Sequence, residues 1–298
     1  SSFYGQKKIK ILTTDSEFYS FSRQLQRWNE RQDFEVVEVP QFPLHDFEER
    51  FCKKALSQNF DLIFFSHVFF NSGVVVDIHR VLPEMPQSSY VVLDGYHSFM
   101  ALPVDLSPYQ DWLYFTAGGY KYAQAGEGCC FLAVPENCQL RPTNTGWFAG
   151  LHELGETSLK RVNFPQNAMR FAGSTMDMSA LYRLIASLDT LKKEGLTVEL
   201  IHQHVQKQQQ IFLEKLDHLS RSPITRSQLI YRDLNHHGHF LTFKMPSPEA
   251  TKMLASQLEK NGILTDFRED RIRFGFGTYH NGEFDLSSLE GLTEKSRI

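Results

Sequence analysis

The stretch Tyr90-Val91-Val92-Leu93-Asp94-Gly95-Tyr96-His97 decides how this chain folds. A short apolar run rich in β-branched side chains reads as a strand buried on both faces. It ends in a carboxylate, with an imidazole three residues beyond. Upstream, Leu62-Ile63-Phe64-Phe65 repeats the apolar pattern. Working outward, strands are expected over residues 9–13, 34–39, 61–68, 112–117 and 129–134, with helical stretches between several of them, the first over about 20–29. Near-continuous apolar strands alternating with helices imply a mainly parallel sheet covered on both faces, an α/β domain.

The texture changes after about residue 163. Leu181, Leu184, Ile185, Leu188 and Leu191 follow the spacing of an amphipathic helix, and Gly195 is a plausible stop. A second helix from about Thr197 carries Ile201, Val205, Phe212, Leu216 and Leu219 on one face. Strand-like runs at 227–233, 239–244 and 271–276, with a helix over 248–260, describe a smaller α+β domain. The expected division is a large domain over 1–165 and a small C-terminal one over 166–298.

A length of 298 residues suits two moderate domains, and 41% hydrophobic content with 25 Phe supplies a large core. The net charge of −4 offers no positive field for nucleic acid or anionic lipid. No apolar run approaches the roughly 18 residues of a membrane helix, so neither a membrane nor a nucleic acid is the expected partner. Four cysteines without CxxC spacing, two of them vicinal at Cys129-Cys130 in an apolar run, suit reduced thiols and a cytoplasmic address. The opening Ser1-Ser2-Phe3-Tyr4-Gly5 lacks the basic and apolar regions of a signal peptide. The run His236-His237-Gly238-His239 lacks helical spacing and supporting carboxylates, so no metal is expected. Phosphate-binding glycine fingerprints and the GxSxG nucleophile motif are absent.

The chemistry concentrates at two strand ends. Trp112-Leu113-Tyr114-Phe115-Thr116-Ala117 runs into Gly118-Gly119-Tyr120-Lys121, which puts an amine at a strand end 27 residues after Asp94. In open α/β sheets, ligands bind at the carboxyl ends of strands. Taken singly, Asp94 reads equally as a helix cap, His97 as a first-turn surface residue and Lys121 as a turn lysine.

Taken together, Asp94, His97 and Lys121 resemble the strand-end D-x-x-H and the later Schiff-base lysine of fold-type I pyridoxal-phosphate (PLP) enzymes of the class V aminotransferase family. Tyr120 before the lysine, the turn Ala125-Gly126-Glu127-Gly128 and the later Gly146-Trp147-Phe148 are most similar to kynureninases. The resemblance implies PLP as cofactor, Lys121 as its covalent holder and acid/base, and Asp94 beside the pyridine nitrogen, where a carboxylate favours the protonated ring. It further implies that His97 belongs to the cofactor site, that Phe18 stacks on the ring and that Asn71 meets the phenolic oxygen, with Ser66 and Ser72 as competing candidates. Tyr120 and Trp147 would hold the phosphate or line the substrate pocket. Arg273, in the run from Arg271 to Asn281, would grip the substrate carboxylate with its planar fork. Structural alternatives stay open: Phe18 as a core aromatic, Asn71 as a turn residue, Trp147 as interface packing, and Arg273 paired with Glu269 or Asp270.

Departures from the family pattern shape the expected function. The phosphate-binding loop normally precedes the strand represented by residues 9–13, so the N-terminal part of the large domain is expected to be missing. Phe21 stands where kynureninases carry an aspartate, and Phe171-Ala172-Gly173-Ser174-Thr175 replaces their Asn-Pro-Pro-like turn. No cysteine follows Cys138, so the mobile thiol of a cysteine desulfurase is not expected. The expectation is a homodimeric PLP enzyme acting on an amino acid by Cβ–Cγ hydrolysis or amino transfer. The alternative is a truncated or catalytically silent relative serving as a binding or scaffold protein.

Overall fold

A computed structural model of the chain describes residues 8–31, 33–155 and 161–290; the segment Ser1-Ser2-Phe3-Tyr4-Gly5 lies outside them. Six strands form one sheet: β1 (Ile9–Thr14), β2 (Phe34–Val39), β3 (Leu62–Ser66), β4 (Tyr90–Asp94), β5 (Leu113–Gly118) and β6 (Cys130–Ala133). Their order is β2-β1-β3-β4-β5-β6. Pairs through β5 are parallel, and β6 closes the edge antiparallel, as expected of a mainly parallel sheet.

Both faces of the sheet are covered, and the alternation of side chains assigns them. Helix α1 (Tyr19–Asn29) lays Leu25 against Ile9 and Ile11, while its Phe21 stacks on Phe64 with ring centroids 3.6 Å apart. Phe65, one residue on, points the other way and meets Phe51 of α2 (Phe47–Leu56) at 5.2 Å. Adjacent phenylalanines on β3 thus hold a helix on each side. A single turn, α3 (Ile78–Val81), is capped by the Asp77 carboxylate, which accepts from the His79 and Arg80 amides.

Helix α4 (Ser179–Lys193) ends where Gly195 takes a left-handed φ of 68°. Helices α5 (Val198–Asp217) and α6 (Pro248–Lys260) accompany three further strands: β7 (Phe240–Lys244), β8 (Asp266–Arg268) and β9 (Arg271–Gly275). These pair antiparallel in the order β7-β9-β8. Helix α6 begins where the periodicity predicts, because Ser247 accepts from the Ala250 amide and Pro248 opens the first turn. Phe212 of α5 sits in an aromatic cluster with Phe274, Phe276 and Phe284, at centroid distances of 5.2, 5.4 and 5.7 Å.

The strand expected over 227–233 is not formed. Arg226–Gln228 is a 3-10 turn instead, because the Gln228 side chain folds back to accept from the Thr225 amide at 2.8 Å, leaving one isolated bridge between Leu229 and Phe243. The three-residue β8 gave no sequence signal: all its residues are exposed, and it turns into β9 at Glu269, whose φ is positive at 49°.

The chain divides into two compact units: 1–67, 77–96 and 104–188, and then 68–76, 97–103 and 189–298. This partition departs from a single boundary after residue 165. Segment 68–76 joins the second unit because Val74 bridges His237 and the Gly238 amide donates to the Gly73 carbonyl. Truncating Phe212 to alanine should lower the unfolding free energy by about 3–5 kcal/mol, the usual cost of deleting a buried phenylalanine, read as a shift of the urea midpoint at constant slope.

Candidate active site

In this strand order, the sense of progression across the sheet reverses between β1 and β3, and loops leaving such a switch point diverge to open a crevice. The residues at the carboxyl ends of β1, β3, β4 and β5 carry the polar groups of the first unit. Asp94 closes β4 opposite Ser66 of β3, and its carbonyl accepts from the His67 amide at 2.9 Å. Its carboxylate accepts from the Tyr96 amide at 2.9 Å, an Asx turn that aims the side chain off the strand end. Burial raises the Asp94 carboxyl above its ordinary range, while that amide and the charge of Lys121 pull it back.

Lys121 follows β5 and is half-buried. Its Nζ lies 5.5 Å from the centroid of the Phe18 ring, 5.8 Å from Tyr96 and 5.9 Å from Tyr120. Such aromatic rings attract a cationic amine. Gly118 makes this enclosure possible: a Cβ there would come within 2.6 Å of Tyr120 and 2.7 Å of Tyr96. Downstream, α4 fixes the loop that carries the lysine, with Arg183 donating to the Ala125 and Glu127 carbonyls and Ser187 to Ala123. An amine held among aromatic rings, with a carboxylate acting on it, is suited to condense with a carbonyl compound and to relay protons afterwards.

Glu17 was not singled out from the sequence. It is buried just after β1, where its carboxyl takes hydrogen bonds from the Thr14 hydroxyl at 2.6 Å, the Ser66 hydroxyl at 2.6 Å and the Ser66 amide at 3.3 Å. Burial pushes it from 4.5 up to about 8, against the pull of those hydroxyls and with a further push from Asp94. The one sequence signal is its place, an acid next to the aromatic Phe18 after the first strand. His67, the residue after Ser66, is buried, and desolvation pushes its imidazole down to about 4, so it is neutral.

The structure therefore brings Phe18, Asp94, Tyr120 and Lys121 together in the first unit, and adds Tyr96 and Glu17. Trp147, also in the first unit, is exposed and packs edge-on against Phe148 at 5.1 Å. Its turn abuts the 171–175 segment, since the Phe148 amide donates to the Gly173 carbonyl at 3.2 Å. His97, Asn71, Ser72 and Arg273 belong to the second unit. There His97 packs on Phe240 at 5.4 Å, and Ser72 is buried in a tight turn, accepting from the Val74 amide.

Arg273 shares a face of β9 with Arg271, whereas Ile272 and Phe274 take the core side. Arg271 donates to the Asn71 carbonyl at 2.9 Å, and Arg273 donates to the Phe70 carbonyl. The ion partner of Arg273 is Asp266 of β8 rather than Glu269 or Asp270, and its guanidinium lies over the Phe240 ring at 5.0 Å.

Residues 2–266 match the family model of class V aminotransferases. The chain is 24% identical to a kynureninase of Geobacillus thermodenitrificans and 23% identical to one of Bacillus cereus, over 91% and 90% of its length. It spans only 64% and 63% of the length of those relatives. Among solved structures it resembles a cystine C-S lyase, C-DES, with a TM-score of 0.77 and 19% identity, covering 95% of this chain and 74% of that one.

The Glu17 carboxyl gives a test of the geometry that needs no ligand. Its folded value lies above the unfolded one, so its stabilising proton is fully held below about pH 4.5 and lost as the pH rises through about 8. The melting temperature of Glu17→Gln, relative to the natural chain, should therefore climb between pH 4.5 and 8 and level off beyond, in thermal melts of the cofactor-free protein.

Proposed function

Because the chain belongs to the class V aminotransferase family, we propose that it is a PLP-dependent enzyme acting on an amino acid, with Lys121 as the residue that holds the cofactor. The observation that carries this reading is the half-buried Lys121 amine, ringed by Phe18, Tyr96 and Tyr120, with the Asp94 carboxylate acting on it from the neighbouring strand end. An amine, a carboxylate and flat apolar faces are the donor set that an aldehyde-bearing pyridine ring requires, so the residues present fit the group. When bound, PLP supplies an electron sink that stabilises negative charge at the substrate α-carbon.

The remaining roles belong to the chain. Asp94 would hold a proton at the ring nitrogen by charge pairing. Phe18 would stack on the ring, His97 would belong to the same site, Asn71 or Ser72 would meet the phenolic oxygen, and Tyr120 would hold the phosphate. The Lys121 amine would also move a proton at the substrate α-carbon. Arg273 takes the substrate carboxylate, with Asp266 and the Phe70 carbonyl keeping its fork oriented until then. Trp147, beside the 171–175 turn, lines the side-chain pocket.

The reaction we favour is Cβ–Cγ hydrolysis of a kynurenine-like amino acid, supported by the two kynureninases among the relatives. Amino transfer is the second reading, favoured by Phe21: at the position of the kynureninase aspartate the chain has a ring stacked on Phe64. No described helix is long and apolar enough to cross a membrane. A homodimer in the cytoplasm completes the reading.

Incubation with PLP followed by borohydride should leave a stable mass addition on the peptide containing Lys121, absent in Lys121→Ala; no such addition would defeat the assignment. Alanine release from a γ-keto amino acid would identify the hydrolysis, and turnover dependent on an added keto acid the amino transfer. Arg273→Lys, which keeps the charge but loses the bidentate fork, should raise KM about 10- to 100-fold with a smaller change in kcat.

A further inference from the structure

Beside the carboxylate assigned to the ring nitrogen stands a second, more deeply buried acid that the scheme above leaves without a role. Glu17 reaches from the end of β1 to the end of β3, the two strands between which the sheet order reverses. Its neighbour in the chain, Phe18, starts α1 and presents its ring to Lys121. Its partner Ser66 is registered opposite Asp94.

We propose that Glu17 is a positioning residue of the cofactor site: as a carboxylic acid it clasps the ends of β1 and β3, and so fixes both the Phe18 ring over Lys121 and the strand end that carries Asp94. This inference rests on the PLP reading above.

Hydrogen bonds from both strand ends hold the carboxyl in place, and burial, not those bonds, keeps its proton. The Ser66 hydroxyl donates to Oε2, while Oε1 accepts from the Thr14 hydroxyl and the Ser66 amide. A buried charge in the same place lacks a cationic partner among the groups that act on it: Asp94 from β4 is negative, and Thr14 and Ser66 are neutral. Nearby Asp15 turns away, its carboxylate accepting from the Gln41 amide. The cation at the site, Lys121, acts on Asp94. Keeping Glu17 neutral avoids setting a second negative charge beside Asp94. Glutamine keeps the clasp, its carbonyl accepting from Thr14 and its amide donating to a Ser66 hydroxyl rotated to accept; alanine removes it.

The test compares the natural chain, Glu17→Gln and Glu17→Ala after loading with PLP, reading affinity, the visible absorption band from pH 6 to 9.5 and the circular dichroism of that band. In the natural chain the band should titrate near pH 8 as Glu17 ionises beside Asp94. Glu17→Gln should bind PLP within about twofold of the natural affinity, keep the dichroism and lose that titration. Glu17→Ala should bind about tenfold more weakly, the equivalent of one lost buried hydrogen bond, with the dichroism at least halved. Where the alanine variant does not fold, the glutamine arm decides. An unchanged titration near pH 8 in Glu17→Gln overturns the proposal, as do natural affinity and dichroism in Glu17→Ala. A natural chain with no Lys121-dependent band defeats the PLP reading and this inference with it, whereas a normal band indifferent to Glu17 defeats the inference alone.

Discussion

Parallel pairing is the constraint from which this structure follows. A parallel strand sends all its successors' loops out of the same edge, so the ends of β1, β3, β4 and β5 deliver Glu17, Ser66, Asp94 and Lys121 to one side of the sheet. The register between β3 and β4 sets Ser66 opposite Asp94, and a slip by one residue would turn every alternate side chain to the other face. The two phenylalanines of β3 forbid that slip, because Phe64 belongs to α1 and Phe65 to α2. Apolar packing in the middle of the strand thus fixes the polar geometry at its end.

The parts of the fold that could be read from the sequence were those with local signals. Strands β2 and β4 and helix α6 lie where their patterns predict, since a two-residue alternation or a Ser-Pro start is complete within a few residues. The run 227–233 misled because its alternation was overruled by one glutamine folding back on Thr225. Segment 68–76 went to the second unit through bonds to residues about 160 positions away, which no window captures.

The same division runs through the site. Asp94 and Lys121 were visible because each ends an apolar run. Glu17 was not, since its meaning depends on Ser66, 49 residues later, and on the burial that this contact brings. Alternation along β9 told which residues share a face with Arg273, but not that Ile272 and Phe274 would claim the core, nor that Asp266 would supply its counter-charge.

The stack of Phe21 on Phe64 bears on how specificity can evolve in this lineage. Replacing Phe21 alone with an acid would set a carboxylate against Ile9, Ile11 and Leu25 while uncovering Phe64. The two positions are therefore coupled, and the cost of changing one depends on what occupies the other. A history that passes between an aromatic and an acid at this point of α1 must cross a valley or remodel β3 first. The identity of residue 21 is in this sense guarded by the core packed around it.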